Sequence, residues 1–273
     1  MAGGPGSVDL AGCVRLTWLR QAGFLLEGDG EAVLVDPYLA EDPNLAVPPH
    51  GTPEAMADVT VVCATHEHGD HLELPTWTRI AAASSRPVFV LPAPIRGQAE
   101  DAGLNAARVI GAFAGVPISV GRVTIHPIRA RHGIHAVDAY NFGEAGPGEG
   151  SRYLGYVIEL GGVRIYHAGD TIPYDGIEET LRALRPDIAL LPINGRDYFR
   201  ERLDIVGNLT PREAADLAAS IGVDLVIPMH YETVPGNMES PGVFVDYLRM
   251  THPELTTCLP GRGRSITYCH RGR

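Results

Sequence analysis

The sequence predicts a mixed α/β protein built from two similar halves that pack as one body. The first half opens with an apolar segment at residues 23–27, followed by a glycine turn and a strand that leads to an aspartate. The same order returns at residues 155–159. Further on, the apolar segment 187–191 repeats the pattern of 58–62 at a nearly equal spacing. Two such echoes favour a duplicated unit that contains a β–α–β arrangement.

The length fits one large domain or two modest ones, and we expect a single domain over residues 1–273 with residues 1–7 disordered. The chain is 45% hydrophobic, which is enough for a sizeable core. The 22 basic and 33 acidic residues give a net charge of −11, which argues against nucleic acid or an anionic membrane as a partner. We find no apolar run near the ~20 residues of a membrane helix, and no leader is visible.

The cysteines indicate a reduced protein. They lie far apart and include no pair with Cys-x-x-Cys spacing, so a disulfide framework or a zinc ribbon is not expected. We therefore expect a soluble, cytoplasmic protein, and homo-oligomeric assembly is left open. The four cysteines are Cys13, Cys63, Cys258 and Cys269.

The first half alternates strands with helices. Runs of β-branched and apolar residues predict the strands, the Asp-Gly pair at 29–30 predicts a hairpin turn, and Pro75 marks a helix start. Residues 40–57 are proline-rich and irregular, either a cover over a site or a plain surface loop. The predicted strands are 14–19, 23–27, 32–35, 59–64 and 88–91, and the predicted helices are 74–83 and 96–103.

The second half has the same composition of elements. A glycine-rich stretch at 133–153 is predicted to be a flexible loop. Thr210 and Glu213 form a capping box around Pro211, and Gly222 ends that helix. The predicted strands lie within 109–131 and at 155–159, 163–167, 187–191, 225–227 and 266–269, and the helices at 214–221 and 243–250.

The strongest chemical signal is the segment 65–71, which directly follows a buried strand. Residues two apart in an extended chain face the same way, so His66 and His68 can share one target. Gly69 allows a turn, after which Asp70 and His71 can aim at a second point. One loop can thus serve two neighbouring metal ions, and a solvated polar loop is the alternative.

This segment resembles the His-x-His-x-Asp-His signature of the metallo-β-lactamase superfamily. The segments 167–170 and 228–231 resemble later motifs of that superfamily. Within it, the chain looks most like the branch that contains ascorbate-6-phosphate lactonase. That narrower resemblance rests on motifs at residues 21–24, 36–39, 194–197, 207–208 and 228–231, and spans residues 15–260. The resemblance implies a four-layer αββα sandwich of two similar halves with a metal cleft between them.

The resemblance also implies a site with two divalent metal ions. Every ligand is a histidine or an aspartate, so Zn²⁺, Mn²⁺ and Fe²⁺ are all admissible, and the lactonase branch favours Mn²⁺ or Zn²⁺. A water between such ions loses a proton near neutral pH and becomes the nucleophile, and Asp70 can take up and return that proton. The implied ligands are His66, His68 and His132 on the first ion, Asp70, His71 and His230 on the second, and Asp170 between them.

Other polar residues have open roles around this site. His126 and His135 compete with His132 for its place; His126 fits an ordinary paired histidine inside a strand, and His135 fits the pocket lining. The resemblance favours Asp36 as a brace for the metal loop over a direct ligand. His167 is expected to orient a ligand through its other ring nitrogen.

Substrate recognition is expected from loops that follow buried strands. Arg196, beside Asn194, can grip a carboxylate or phosphate with its planar fork, or it can pair with a neighbouring acid. Tyr231 can donate to a developing oxyanion, or it can simply pack.

The leading hypothesis is a metal-dependent ester hydrolase, lactonase-like, acting on a small anionic ester or lactone such as a sugar lactone phosphate. The first alternative is a phosphodiesterase or phospholipase-type hydrolase on the same two-metal site. A second alternative is a mononuclear iron dioxygenase of persulfide type, and a third is a binding module without activity. The complete set of ligands for a second metal ion argues against the one-metal dioxygenase. A binding module without activity usually lacks some of the ligands, whereas this sequence has all of them.

Overall fold

A computed structural model gives the structure of the protein and describes residues 12–133, 144–146, 148, 150–202 and 207–270. The predictions for residues 1–7 and for His135 lie outside this described part. In chain order the strands are β1 (Cys13–Arg20), β2 (Gly23–Gly28), β3 (Glu31–Val35), β4 (Val61–Cys63), β5 (Val88–Pro92), β6 (Val109–Ala112), β7 (Ile118–Val120), β8 (Val123–Arg129), β9 (Glu144–Gly146), β10 (Gly150–Ser151), β11 (Leu154–Leu160), β12 (Val163–His167), β13 (Ile188–Pro192), β14 (Leu225–Met229), β15 (Thr256–Thr257) and β16 (Ser265–Cys269). The α-helices are α1 (Leu74–Ala83), α2 (Arg96–Asp101), α3 (Ile177–Leu184), α4 (Tyr198–Glu201), α5 (Pro211–Ile221) and α6 (Pro241–Thr251).

Two seven-stranded sheets repeat one topology. Their orders are β16-β1-β2-β3-β4-β5-β6 and β7-β8-β11-β12-β13-β14-β15. Taken in these orders, the first three pairings of each sheet are antiparallel and the last three are parallel. The predicted duplication is therefore confirmed, and the structure adds that the strand directions repeat as well. The halves differ at one edge, where the C-terminal strand β16 returns to pair with β1.

The layers follow from the alternation of side chains along each strand. On β3, Val33 and Val35 belong to the core between the two sheets, whereas Leu34 packs on the other face with Trp77 and Ile80 of α1. On the far side of the molecule, α5 packs on β13 and β14, and α6 packs on α5. The order helix, sheet, sheet, helix is the predicted four-layer sandwich.

Local signals set the helix ends where the sequence carries them. Helix α1 has its predicted bounds, with Pro75 in its first turn. Helix α5 has the predicted capping box between Thr210 and Glu213, and Gly222 ends it with a φ of 72°. Helix α3 was not predicted, because Gly176 before it provides no side-chain cap and Arg185 after it has a left-handed backbone.

Two loops differ in detail from the prediction. Residues 40–57 are irregular as expected, apart from one 3₁₀ turn at Glu54–Met56, and the amide of Ala46 donates to the carbonyl of Thr233. That bond fastens this loop beside the segment that follows β14. Part of the segment 133–153, predicted as a flexible loop, forms the short antiparallel pair β9 and β10.

One cysteine pair overturns the expectation of a fully reduced chain. Cys13 and Cys269 lie opposite each other in the pairing of β1 with β16 and form a disulfide. The prediction was wrong because the two residues are 256 positions apart, and only the return of β16 to the first sheet brings them together. Cys63 and Cys258 are free thiols. Among the described residues, no helix combines the length and apolar character that a membrane crossing requires.

Candidate metal centre

The centre lies where strands of both sheets end. The loop with His66 follows β4 of the first sheet, whereas Asp170 and His230 follow β12 and β14 of the second. Strands β12 and β14 both run parallel to β13, so their carboxyl ends meet at one edge of the sheet. Such an edge is the usual position of ligand sites in α/β proteins.

A turn within the loop after β4 separates two sets of side chains. The amide of His71 donates to the carbonyl of His68 across 2.9 Å, so the chain reverses direction after His68. His66 and His68 therefore point to one place, and Asp70 and His71 point to another. Two clusters result, each with its nitrogen and oxygen atoms within 4.8 Å of one another: His66, His68, His132 and Asp170, and Asp70, His71 and His230.

The carboxylate of Asp170 spans the two clusters. Its Oδ2 lies 3.5 Å from Nε2 of His132 and 4.0 Å from Nε2 of His66. Its Oδ1 lies 3.2 Å from Nε2 of His71 and 3.3 Å from Nε2 of His230. Each oxygen thus faces a different cluster, which is the geometry of a bridging carboxylate.

Unsatisfied buried atoms indicate that the centre fits divalent cations. Nδ1 of His71 contacts Oδ2 of Asp36 at 2.7 Å and donates to it, so Nε2 is the ring nitrogen left to face the centre. That nitrogen lies 3.2 Å from Oδ1 of Asp170, and neither atom has another hydrogen-bond partner among the described residues. A buried nitrogen and a buried carboxylate oxygen in this position need either a proton or a cation between them. Imidazoles and carboxylates without a thiolate suit Zn²⁺, Mn²⁺ or Fe²⁺.

The protonation of the imidazoles is consistent with this fit. Burial lowers the pKa of His132 to about 4 and also lowers the pKa of His66, so both rings are neutral at pH 7. Burial acts the same way on His71, but the carboxylates of Asp170 and Asp70 outweigh it and raise the pKa of His71. A cation bound in the second cluster would take the place of that proton.

Asp36 supports the metal loop from beneath. Its carboxylate accepts hydrogen bonds from the amide of Thr65 at 2.8 Å, from the hydroxyl of Thr65 at 2.8 Å and from His71. It is fully buried, and its backbone has a φ of 46°, a left-handed value that few residues adopt. These contacts are those of a brace rather than of a ligand.

His167 differs from the expectation that it orients a ligand side chain. Its Nε2 donates to the carbonyl of Ala22 at 2.7 Å, and its Nδ1 accepts from the amide of Gly169 at 3.2 Å. It therefore fixes the backbone before Asp170 and after Gln21. No hydrogen bond from His167 to a cluster side chain occurs among the described residues.

The structure corrects the role predicted for Arg196. Its guanidinium forms a two-pronged ion pair with Glu213 and donates to the carbonyl of Asn208 at 2.8 Å. This is the pairing with a neighbouring acid that the sequence left as the alternative. Because Glu213 also completes the cap of α5, Arg196 joins the loop after β13 to that helix rather than reaching for a substrate.

The other predicted substrate residues are likewise occupied. Asn194 is buried, donates to Asn237 at 2.9 Å and accepts from Asn208 at 3.0 Å. The ring of Tyr231 lies 5.2 Å from that of Trp18, which is packing. Outside the centre, Nε2 of His126 pairs with Glu159 at 3.1 Å, as expected for an ordinary strand histidine.

Two residues at the centre had no predicted role. The carboxamide nitrogen of Gln21 donates to Oδ2 of Asp70 at 2.7 Å and lies 3.0 Å from Nε2 of His230. Gln21 belongs to a motif of the resemblance, which was the available signal. The ring of Tyr153 lies 5.4 Å from that of His66 and 5.5 Å from that of His132. No local pattern marks Tyr153, since it follows the glycine-rich stretch.

Comparison with known proteins places this centre in a family. Residues 31–231 match the model of the Beta-lactamase superfamily domain. A UPF0173 metal-dependent hydrolase of Korarchaeum cryptofilum is 33% identical over 255 residues, which cover 93% of this chain and 100% of the relative. A second one, TK0141 of Thermococcus kodakarensis, is 32% identical over 85% of this chain and 90% of its own length.

A solved structure supports the fold. Igni18, a metallo hydrolase from Ignicoccus hospitalis, superposes with a TM-score of 0.73 at 23% identity, covering 95% of this chain and all of its own. The relatives match over nearly their full length, and the matched region runs from β3 through the loop that carries His230. The chain therefore belongs to the β-lactamase superfamily of metal-dependent hydrolases, in the UPF0173 family.

Proposed function

We propose that the centre holds two divalent cations, Mn²⁺ or Zn²⁺, and hydrolyses the ester or lactone bond of a small anionic molecule. The observation that carries this proposal is the carboxylate of Asp170, whose two oxygens face different clusters. His66, His68 and His132 would hold one cation, and Asp70, His71 and His230 the other. The motifs that resemble the ascorbate-6-phosphate lactonase branch favour a lactone.

The cations, Asp70 and Asp36 would have different roles in the reaction. Cations bound there would polarise the carbonyl oxygen of the substrate and lower the pKa of the attacking water. Asp70 is the acidic member of the second cluster with a partly exposed side chain, 22%, so its carboxylate can reach a proton in the cleft. It takes that proton from the water and returns it to the leaving oxygen. Asp36, through His71, holds the second cluster in place.

Charge supports an anionic substrate even though Arg196 is engaged by Glu213. Two divalent cations would carry four positive charges against three carboxylates, those of Asp36, Asp70 and Asp170, so the loaded centre would be positive within a chain whose net charge is −11. A local positive site concentrates anions near the reacting bond. The substrate's carboxylate or phosphate would therefore be recognised by the centre itself.

The test begins with chain stripped by a chelator and reloaded with Mn²⁺, Zn²⁺ or Fe²⁺. Bound metal is counted by elemental analysis, and hydrolysis is followed on phosphorylated and unphosphorylated sugar lactones, aryl esters and aryl phosphodiesters. The proposal predicts about two cations per chain, as in other two-metal sites, and the highest kcat/KM on an anionic lactone or ester. A higher kcat/KM on phosphodiesters than on lactones and esters would show that the enzyme is a phosphodiesterase and not a lactonase or esterase. One iron per chain with oxygen consumption would overturn hydrolysis.

A further inference from the structure

Gln21 is held rigidly against the second cluster. It lies directly after β1, is almost fully buried, and has a left-handed backbone with a φ of 55°. Its carbonyl accepts from the indole of Trp18 at 3.0 Å and from the amide of His230 at 3.1 Å. Such a conformation costs free energy and persists only where the surroundings enforce it. The backbone of Gln21 therefore both directs its own side chain and, through its carbonyl, positions His230.

The distances around this side chain are those of one coordination shell. Nε2 of Gln21 lies 2.7 Å from Oδ2 of Asp70 and 3.0 Å from Nε2 of His230, and those two atoms are 3.2 Å apart. Ligands at about 2.1 Å from a cation stand roughly 3.0 Å apart in an octahedron and roughly 3.4 Å apart in a tetrahedron. The carboxamide would thus be close enough to bind the same cation as Asp70 and His230.

The chemistry of the amide then depends on whether a cation is present. Without one, an N–H group of Gln21 donates to Oδ2 of Asp70, and the same nitrogen lies 3.0 Å and 3.3 Å from the two ring nitrogens of His230. With a cation, the lone pairs of Asp70 and His230 turn to the metal, and an N–H group in the same position would point at a positive charge. Half a turn of the carboxamide exchanges its nitrogen and oxygen with almost no change in shape.

We propose that Gln21 is a ligand of the second cation through its carboxamide oxygen. This inference rests on the second cation of the proposed hydrolase centre and adds to it a neutral oxygen ligand that the superfamily motifs do not include. With Asp70, His71, His230 and Asp170, the second cation would have five protein ligands, against four for the first. A larger and more oxygen-rich set favours Mn²⁺ over Zn²⁺, which is satisfied by four ligands.

The test compares Gln21→Met with Gln21→Glu by calorimetric titration of Mn²⁺ and Zn²⁺ into metal-free chain, without any turnover. Methionine keeps the length but offers no oxygen, so affinity for the second Mn²⁺ should fall about 10- to 100-fold, with Zn²⁺ less affected and the first cation unchanged. Glutamate cannot donate to Asp70 but ligates well, so it should bind the second Mn²⁺ at least as tightly as wild type. Gln98→Met on α2 is the matched control, since it removes an amide that donates to Glu67 of the metal loop at 3.3 Å and not one at the second cluster.

Each other outcome contradicts the inference. If Gln21→Glu weakens the second Mn²⁺ as much as Gln21→Met, the side chain acts as a donor to Asp70 and not as a ligand. If Gln21→Met binds like wild type, Gln21 has no part in the site, while the proposed hydrolase stands. A wild-type chain that binds only one cation overturns both. A crystal structure of Mn²⁺-loaded wild type gives a check without variants: the carboxamide oxygen should lie about 2.2 Å from the second cation.

Discussion

Nδ1 of His71 donates to Oδ2 of Asp36 across 2.7 Å, and both side chains are fully buried. The bond fixes the tautomer of His71 and turns its Nε2 toward Asp170. Asp36 belongs to the segment after β3, and Asp170 to the segment after β12, so this one imidazole couples the two halves of the sandwich at the centre. Outer carboxylates of this kind orient the ligand and raise its basicity.

Asp36→Asn should therefore weaken binding of the second cation without unfolding the chain. Asparagine keeps the shape and tolerates a positive φ, but it lacks the charge that holds Nδ1–H of His71. We expect affinity for the second cation to fall about 10- to 100-fold, measured by calorimetric titration. Asp58→Asn, at an exposed residue, controls for the chemical change. Equal affinities in the two variants would remove Asp36 from the centre.

Arg196→Ala should reduce stability rather than substrate binding. The variant loses the two-pronged pair with Glu213 and the bond to the carbonyl of Asn208. Hydrogen bonds to charged groups contribute about 1.5–3 kcal/mol each, so the free energy of unfolding should fall by roughly that amount, measured with denaturant. KM should stay within about twofold of wild type, because the variant removes no contact with the substrate. Loss of a contact worth about 1.4 kcal/mol would instead weaken binding about tenfold. A large rise in KM at unchanged stability would restore the role predicted from sequence.

Features that depend on residues close together in the sequence were predicted better than contacts between distant residues. The ends of α1, the cap of Thr210 with Glu213 and the loop with His66 follow from residues a few positions apart, so local patterns predict them. The duplicated topology also followed, since each half repeats the same local patterns. Pairing of Arg196 with a neighbouring acid was offered only as an alternative, and that acid was not identified as Glu213, because the local pattern shows Glu213 only as a helix cap.

Contacts between distant segments were out of reach. Gln21 meets Asp70 and His230 only after three loops converge, and its left-handed backbone has no signal in a glutamine. The pairing of Cys13 with Cys269 depends on β16 joining the first sheet at the end of the chain. Neither follows from spacing, because a spacing of 256 residues says nothing about which strands are neighbours.

Cys13→Ser should lower the free energy of unfolding by about 2–4 kcal/mol under oxidising conditions, as for other disulfides. The bridge closes nearly the whole chain and fastens the edge strand β16 to β1. Thermal unfolding of wild type in reductant should match that of the variant, and Cys258→Ser should behave like wild type in both conditions. Insensitivity of wild type to reductant would mean that the bridge does not form or does not stabilise the chain.

Asp70→Asn should slow catalysis even at saturating metal. Asparagine keeps one oxygen but has lost the charge that draws a proton from the attacking water, and such assistance is worth about 10²–10⁴-fold. We expect kcat to fall by that factor, and further for substrates with poor leaving groups, which need the proton back. The measurement is kcat on a leaving-group series with metal content checked for each sample. Wild-type rates on both good and poor leaving groups would make Asp70 a ligand only.

Asp170→Ala should differ from every single-histidine variant in the number of cations lost. Its two oxygens lie 3.5 Å from Nε2 of His132 and 3.3 Å from Nε2 of His230, in separate clusters. His132→Ala should therefore remove one cation and leave the other, His230→Ala should do the converse, and Asp170→Ala should weaken both. Each loss in metal affinity should exceed about 100-fold. That factor is the upper range for removing a residue that only hydrogen-bonds to a metal ligand.

Metal content after dialysis, together with calorimetric titration, separates these three patterns. Asp175→Ala, on the same loop after β12, tests whether any change in that loop has the effect. If Asp170→Ala lost a single cation, its carboxylate would serve one cluster, and the two-metal centre would have to be joined by some other group. If His132→Ala and His230→Ala each lost both cations, the clusters would fill only together, and the independence that their separate geometry implies would be wrong.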